Sequence, residues 1–293
     1  ERVVLAVPEN GPLVAEAERR GGEVRICPTP ILRRSALSPV GAIGLLIETL
    51  RALGPSRRLL RESGASTVVV NTVTVPLWVL VAKLARVRVI CHVHEAETNQ
   101  SRSVRKLLYA SLLLADRLVT NSSYCLEAVA GTWPRLRGRT AVVYNGVPGP
   151  AEPAAAPREH LAGAVRLLFI GRISPRKGTD IAISALAELL DRGVDAQLDL
   201  LGAVFEGYEW FERRLHEQVT SLGLDGKVNF LGFRPDVWEA FAQADIVVVP
   251  STAEESFGNT AVESMLAQRP LVVSRTSGLE EAAAGFEAVR FVP

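Results

Sequence analysis

Cysteine is scarce in this chain of 293 residues. The three cysteines, Cys27, Cys91 and Cys125, are odd in number and lie far apart. A disulfide framework needs paired cysteines, and a cysteine-based metal site needs at least two of them within a few residues. Neither feature is expected here, and a reducing cytoplasm is the expected compartment.

Long apolar runs are absent as well. The best candidates, residues 40–47 and 75–82, fall well short of the roughly 20 apolar residues that cross a bilayer as a helix. The first two residues, Glu1 and Arg2, lead straight into a strand pattern, which is not how a signal peptide begins. The sequence therefore predicts neither a membrane span nor a cleaved leader.

Several ligand-binding signatures are also missing. No G-x-G-x-x-G occurs, so nicotinamide binding is not supported, and Lys177-Gly178-Thr179 has the wrong order for a Walker A loop. No Asp-x-Asp triplet is present to hold a divalent metal.

Strand and helix patterns alternate along the whole chain. Strands are predicted at residues 2–7, 23–27, 67–71, 87–91, 116–120, 140–144, 166–171, 196–202, 227–231, 244–249, 270–274 and 288–292. Helices between them include 11–20, 39–62 and 101–115, and Gly54-Pro55 is expected to interrupt the second. This alternation predicts an α/β fold with parallel sheets and right-handed crossovers.

A stretch rich in proline and alanine divides this alternation in two. Residues 149–158 predict a linker between an N-terminal domain, 1–148, and a C-terminal domain, 159–293. Two Rossmann-like domains are expected to face each other across a cleft, which is a usual place for a ligand site.

Charge is distributed unevenly between the two halves. Residues 1–150 hold 20 Lys and Arg against 11 Asp and Glu, a net charge of +9, whereas residues 151–293 hold 13 against 21, a net of −8. The pairs Arg33-Arg34 and Arg57-Arg58, with Arg61, lie beside an amphipathic helix pattern. The first half is therefore expected to prefer anionic partners, including the inner face of a membrane.

The stretch 251–266 carries two carboxylates beyond a buried-strand pattern. Glu255 and Glu263 have seven residues between them, and a helix pattern begins at about Thr260. Ligands of open α/β sheets bind beyond the carboxyl ends of the strands, and a helix start in that place suits a phosphate. In the alternative interpretation Thr260 and Glu263 only form a capping box, and Gly258 only serves the turn.

A second stretch, residues 167–180, places cations between a strand and a helix. Arg172 and Lys177 lie on the turn after an apolar strand, and Thr179 is the predicted N-cap of the following helix. Cations in this position can bind a diphosphate. The alternative is a solvated charged loop, which is the commoner role of a short basic run.

Together the two stretches resemble the retaining glycosyltransferases of family 4, which have the GT-B fold. The G-R-x-x-x-x-K-G loop of that family is matched by Gly171, Arg172, Lys177 and Gly178, and its E-x7-E around a Phe-Gly turn by Glu255, Phe257, Gly258 and Glu263. Segments 201–202, 230–232 and 244–251 fall between the two motifs in the family's usual order, and segment 143–147 resembles the Asn-Gly-Val that closes the family's first domain. The resemblance covers nearly the whole chain and is densest from 143 to 280.

This resemblance implies transfer of a hexose from a nucleotide diphosphate sugar, UDP- or GDP-linked, to a hydroxyl acceptor with retention of configuration. By resemblance, Arg172 and Lys177 hold the diphosphate and Glu263 holds the ribose hydroxyls. The sugar is held by Glu255 and by four residues at the helix start, Phe257, Gly258, Asn259 and Thr260. No cofactor, metal or nucleic acid is implied, and the acceptor is expected to be a glycan or a lipid-linked intermediate.

His94 is the expected contact from the first domain. It follows a predicted strand and matches the His of the family's first-domain motif, although a hydrogen-bonded histidine at a strand end is the simpler interpretation. A zinc site is not expected, because His92 and His94 lack a third metal ligand. By resemblance, His92 is a structural residue. Glu95 and Glu97 are expected to lie in a solvated loop, and the alternative is a role as acceptor-side groups.

Other functions remain open from the sequence. One alternative is a nucleotide-sugar epimerase of the same fold, and another is a non-catalytic sugar-nucleotide binding protein. The family usually begins with one more strand, a Gly-rich loop and a helix, and ends with further helices, so both ends are expected to be lacking here. Whether Glu255 is a nucleophile or a positioning group is also open. The expected location is the cytoplasm, with peripheral contact at the inner face of the membrane.

Overall fold

Parallel strands and helices alternate through the computed structural model, which describes residues 2–32, 36, 38–158, 160–161 and 163–293. The strands are β1 (Val4–Val7), β2 (Glu23–Ile26), β3 (Thr67–Val70), β4 (Arg88–Val93), β5 (Arg117–Thr120), β6 (Thr140–Val142), β7 (Val165–Ile170), β8 (Ala196–Leu201), β9 (Val228–Gly232), β10 (Ile246–Val249), β11 (Leu271–Ser274) and β12 (Val289–Val292). The helices are α1 (Pro12–Arg19), α2 (Pro39–Ser63), α3 (Pro76–Leu84), α4 (Arg102–Leu108), α5 (Ser123–Thr132), α6 (Thr179–Asp191), α7 (Glu209–Ser221), α8 (Trp238–Gln243), α9 (Asn259–Leu266) and α10 (Ser277–Ala282). The predicted α/β class is confirmed.

The chain divides into two compact units, Glu1–Val143 and Tyr144–Pro293. The second unit contains one six-stranded sheet in the order β12-β11-β10-β7-β8-β9. The first contains a four-stranded sheet, β3-β4-β5-β6, and a separate two-stranded sheet, β1-β2. The sequence predicts one sheet per domain, and the first unit differs because alternation predicts parallel strands without indicating which strand edges pair.

The unbroken apolar runs of the second unit are buried on both faces of its sheet. Along β7, Leu167 and Phe169 pack into one hydrophobic cluster, whereas Leu168 packs into the cluster on the opposite face. Along β10, Val247 and Val248 divide in the same way. Successive side chains of a strand point to opposite faces, so a sheet covered by helices on both sides needs apolar residues at every position.

Helix α2 continues through Pro55, so the predicted interruption at this residue is wrong. Proline has no N–H to donate to the carbonyl of Arg51, which costs the helix one hydrogen bond. Ala52, Ser56 and Leu60, on either side of the proline, are all buried in the first unit. Their burial holds this segment of the helix in place.

The predicted helix 101–115 is divided at Tyr109. Helix α4 ends before this residue, and a 3₁₀ helix, Ala110–Leu114, follows it. The Tyr109 ring is fully buried, and its hydroxyl donates to the carbonyl of Ala96 at 2.5 Å. A long-range contact of this kind leaves no local sequence signal. In the described part of the chain, no helix is both long and apolar enough to cross a membrane.

We expect Gly178→Ala to destabilise the second unit. Gly178 precedes α6 with a φ of +66°, and a Cβ there would overlap the carbonyl oxygen of Pro250. The backbone conformation should cost about 1 kcal/mol and the overlap a further 1–3 kcal/mol or so, measured by urea unfolding. The matched control is Gly193→Ala after the other end of α6, where φ is +80° and no atom lies within 4 Å of the added Cβ. Equal losses in the two variants would contradict the close approach.

Candidate functional site

The strand order of the second unit brings two loops together. Strand β7 pairs with β8 on one side and with β10 on the other, so the chain order reverses between β7 and β10. Ligands of open α/β sheets bind beyond the carboxyl ends of the strands at such a reversal. The loops that leave these two strands, residues 171–178 and 250–258, are therefore neighbours.

A short ion pair joins these two loops. Lys177 Nζ donates to Glu255 Oε1 at 2.6 Å, and the Ser251 hydroxyl donates to the same oxygen at 3.0 Å. The Glu255 side chain is 15% exposed and that of Lys177 is 32% exposed. Among the described residues, Glu255 Oε2 has no hydrogen-bond partner. Lys177 and Glu255, which belong to separate sequence motifs, thus form an ion pair in which Oε2 is the open oxygen of the carboxylate.

Main-chain contacts also fasten the two loops to each other. The Thr252 N–H donates to the Arg176 carbonyl at 2.9 Å, and the Arg176 guanidinium donates to the Glu254 carbonyl at 2.8 Å. Gly178 lies so close to Pro250 that no side chain would fit between them. The ion pair is therefore held by a rigid backbone frame.

Arg172 lies beside this pair and against an aromatic ring that the sequence analysis missed. Its Cζ is 3.8 Å from the centroid of Phe205, in the loop after β8. Desolvation lowers the pKa of Arg172, repulsion from Arg176 lowers it further, and the guanidinium remains a cation. Phe205 is 51% exposed. The sequence signal for Phe205 was an aromatic residue placed just beyond the carboxyl end of a predicted strand.

Two helices begin beside the ion pair without a side-chain cap. Serines cap only some helices: Ser38, Ser101 and Ser122 cap α2, α4 and α5 by accepting a backbone N–H, and α1, α3, α7, α8 and α10 have no side-chain cap. Helices α6 and α9 instead follow Gly178 and Gly258, both with positive φ and neither with a side-chain cap. Their first N–H groups are left to solvent or to a ligand, and the helix dipole favours an anion there.

The capping roles considered for Thr179 and Thr260 are wrong. Thr179 is the first residue of α6 and fully buried, and Thr260 is the second residue of α9. The Thr260 hydroxyl donates to the Ile170 carbonyl at 3.4 Å. Glycine takes both cap positions because the chain adopts a left-handed conformation there. Without an N-cap threonine, the capping-box interpretation of Glu263 no longer holds.

Glu263 lies half-buried on α9, and no described residue forms a hydrogen bond or ion pair with its carboxyl group. Burial raises the pKa of this carboxyl above its usual value. Burying a charged group without a partner opposes folding, so packing alone does not account for a glutamate here. Such groups occur often at ligand sites.

The turn before α9 packs against the segment that follows β6. The Phe257 ring is buried and stacks on Tyr144, with ring centroids 5.6 Å apart. Asn259 Oδ1 accepts a hydrogen bond from Asn145 Nδ2 at 2.8 Å. A Cβ on Gly258 would come within 2.5 Å of a Leu279 methyl carbon. The turn residues singled out by sequence are thus fixed in place within the second unit.

In the first unit, His94 directly follows β4. Its Nε2 lies 3.6 Å from Glu95 Oε1, and Glu95 also accepts the Thr72 hydroxyl from the loop after β3. The expectation of a solvated Glu95 is wrong, because β3 and β4 are neighbours and their loops meet.

His92 Nδ1 lies 2.6 Å from Asn71 Oδ1, and burial lowers the pKa of His92. Within the described ranges, no group of three or more His, Cys, Asp or Glu is placed to hold a metal ion.

Two family profiles match the chain. The profile of Glycosyltransferase Family 4 matches residues 2–148, just over half of the chain, and that of Glycosyl transferases group 1 matches residues 157–291. The chain belongs to glycosyltransferase family 4.

Curated relatives of this glycosyltransferase align over part of its length. It is 39% identical over 134 residues to the GDP-mannose-dependent alpha-(1-6)-phosphatidylinositol dimannoside mannosyltransferase of Mycobacterium tuberculosis, covering 45% of this chain and 33% of the relative. It is 33% identical over 183 residues to the D-inositol 3-phosphate glycosyltransferase of Streptomyces avermitilis, covering 58% and 39%. The matched part of the chain therefore spans less than half the length of these relatives.

Solved structures show the fold of the glycosyltransferase. Anabaena HepE in complex with UDP and glucose superposes with a TM-score of 0.78 at 23% identity, covering 99% of this chain and 77% of that one. A glycosyltransferase from Rickettsia africae gives a TM-score of 0.79 at 17% identity, with 99% and 76% covered. The predicted GT-B fold class is confirmed.

We expect Glu263→Gln to stabilise the glycosyltransferase at neutral pH. Because burial raises the folded-state pKa of Glu263, this group favours the folded state below its unfolded pKa, and that contribution is lost as pH rises through the folded pKa. Glutamine resembles the protonated form at every pH. The urea midpoint of the variant should exceed that of the wild type at about pH 7.5, and the difference should vanish below about pH 4.

The exposed Glu287 provides the control, since Glu287→Gln should change the midpoint little at either pH. A lower midpoint for Glu263→Gln at neutral pH would mean that the carboxylate makes a stabilising contact.

Proposed function

We propose that this glycosyltransferase moves a hexose from a nucleotide diphosphate sugar to a hydroxyl acceptor, with retention of configuration. The observation that carries the proposal is the pairing of Lys177 with Glu255 beside the uncapped starts of α6 and α9. A cation and two helix starts suit a diphosphate, and an adjacent carboxylate suits sugar hydroxyls. A GDP-mannose-dependent relative and a neighbour that binds UDP support this class of donor.

The donor would lie across the loops of the second unit. Arg172 and Lys177 hold the diphosphate in this proposal, and the unpaired carboxylate of Glu263 holds the ribose hydroxyls. Phe233 directly follows β9 and is 76% exposed, which leaves its ring free to stack on the base. The donor would then extend from β9 towards β10.

Glu255 is proposed to orient the sugar rather than attack it. Lys177 and Ser251 both donate to its Oε1, which stabilises the negative charge and makes the carboxylate a weaker nucleophile. Its open Oε2 can accept a sugar hydroxyl. His94 is the further group proposed to contact the sugar.

The proposed reaction exchanges one bond for another on the same face of the sugar. The bond from the anomeric carbon to the diphosphate oxygen breaks, and the electron pair stays on the diphosphate. Arg172, Lys177 and the helix starts stabilise the charge that develops there. The acceptor oxygen bonds to the anomeric carbon, and its proton passes to the departing phosphate. No cofactor or metal takes part in this proposal.

A thermal-shift panel of UDP, GDP, ADP and TDP tests the donor class. One of these should raise the unfolding temperature, and Arg172→Ala and Lys177→Ala should each weaken its binding about tenfold to a hundredfold, because each removes a charge-assisted hydrogen bond. Binding of the bare nucleoside should hardly change, and EDTA should not abolish binding. Arg192→Ala, just beyond the far end of α6, is the matched control.

Wild-type affinity in both alanine variants, or loss of binding with EDTA, would overturn the assignment of this loop. A labelled donor then separates the enzyme from its alternatives. Hexose transfer to an acceptor supports the proposal. Formation of an epimeric nucleotide sugar without any acceptor would indicate an epimerase, and binding without turnover would indicate a non-catalytic protein.

We also propose that the acceptor, a glycan or a lipid-linked intermediate, is reached at an anionic membrane surface. Five large apolar residues on the first half of α2 are exposed by 43–82%: Val40, Ile43, Leu46, Ile47 and Leu50. Helical spacing places them on one side of the helix, together with Arg57 and Arg61 further along. Apolar residues followed by arginines suit the interface of an anionic bilayer. Arg33 and Arg34 lie outside the described residues.

The glycosyltransferase should therefore co-sediment with vesicles of phosphatidylcholine and phosphatidylglycerol, and binding should weaken as salt rises. Ile43→Asp should reduce binding, because it places a charge on the apolar side of α2. Leu107→Asp, at a residue of the first unit that is 58% exposed, should not. Equal binding to phosphatidylcholine alone, or no loss with Ile43→Asp, would count against the proposal.

A further inference from the structure

The main chain of Glu255 is held by the first residues of α10. The Glu255 N–H donates to the Ser277 hydroxyl oxygen at 2.8 Å, and the Gly278 N–H donates to the Glu255 carbonyl at 2.9 Å. The backbone N–H and the backbone carbonyl of Glu255 are thus both hydrogen-bonded, and their partners are two consecutive residues. No motif used in the sequence analysis includes either of them.

The α10 backbone also makes an unusually close approach to this loop. A Cβ on Gly278 would lie 2.5 Å from the Ser256 carbonyl and 2.7 Å from the Glu255 carbonyl oxygen, so only glycine fits. Leu279, the next residue, is buried and fills the space beside Gly258. The loop that carries Glu255 rests directly on α10.

Ser277 adopts a conformation that is unfavourable for its residue type. Its φ is +43°, in the left-handed region that residues other than glycine seldom occupy. Strain of this kind persists only where surrounding contacts impose it, and it concentrates at functional sites. Here the imposed geometry is the one in which the Ser277 hydroxyl reaches the Glu255 N–H.

We propose that Ser277 is a positioning residue, which fixes Glu255 so that its Oε2 meets the sugar of the donor. The side chain of Glu255 is held at Oε1 by Lys177 and Ser251, and its main chain is held by Ser277 and Gly278. These restraints leave Oε2 as the open group, in a defined place. The inference rests on the proposed function and deepens it: Ser277 distinguishes a nucleotide that carries a sugar from the bare nucleotide.

Two substitutions separate this role from a purely structural one. Ser277→Gly removes the hydroxyl and relieves the left-handed strain, so its urea midpoint should equal or exceed that of the wild type. Ser277→Thr keeps the hydroxyl and adds β-branching at a positive φ, so its midpoint should fall. If Ser277 positions Glu255, kcat should fall about tenfold in the glycine variant and stay near the wild-type value in the threonine variant.

The affinity for the nucleoside diphosphate should be unchanged in Ser277→Gly, because other residues are proposed to bind the diphosphate. The preference for the sugar-bearing nucleotide over the bare nucleotide should become smaller. Ser221→Ala, which removes a hydroxyl at the end of α7, is the control. If kcat is high in the variant with the higher urea midpoint, and not in the variant that keeps the hydroxyl, Ser277 has a structural role and the proposal is overturned.

Amide hydrogen exchange tests the hydrogen bond between the Glu255 N–H and the Ser277 hydroxyl without any substrate. The Glu255 N–H should be protected in the wild type and exchange faster in Ser277→Ala and Ser277→Gly, while the N–H of Gly278 keeps its partner. Equal exchange at Glu255 in wild type and variants would overturn the inference even if the transferase is active. Absence of donor binding in the wild type, with the protection intact, would instead reject the proposed function.

Discussion

The parallel pairing of β7 with β10 is the constraint on which the candidate site depends. Residues 246 and 247 pair with 167 and 168, so the two strands end side by side and their loops leave the sheet together. The approach is so close that Gly178 has room for no side chain beside Pro250. Because the backbones touch, Lys177 meets Glu255 across 78 residues of sequence. Any change that separates these loops would remove both the ion pair and the alignment of the helix starts.

The charges around this pairing favour an anionic ligand despite the carboxylate. Lys177 offsets the negative charge of Glu255, which would otherwise repel a diphosphate at the same helix starts. Arg172 stays unpaired by any carboxylate in the described residues and lies over Phe205, which fixes its place without neutralising it. A half-sheltered ion pair contributes little net stability once desolvation is counted. The pair is better explained by geometry, since it fixes one carboxylate oxygen and leaves the other open.

Local pattern and long-range contact explain which features the sequence could predict. Apolar runs predicted the strands. The predicted donor residues lie in the two loops that follow β7 and β10 and on the first turns of α9. The predicted N-cap roles of Thr179 and Thr260 were wrong. A threonine at the start of a helix pattern resembles an N-cap, but packing places a glycine in left-handed conformation at each of the two cap positions. Phe205 and Ser277 were missed, since their roles depend on neighbours that only the folded sheet supplies. The pairing of Lys177 with Glu255 needed the strand order.

Several departures from local rules lie at this edge of the second sheet. Helices α6 and α9 begin after glycines with positive φ and have no side-chain cap, Ser277 is strained, and Glu263 is half-buried with no partner among the described residues. Each departure opposes folding. In the proposed function a diphosphate would accept hydrogen bonds from the free N–H groups, and ribose hydroxyls would donate to the carboxylate. Groups that contribute little to the stability of the fold would then contribute to the free energy of binding, and a bound donor would stabilise the folded state in turn.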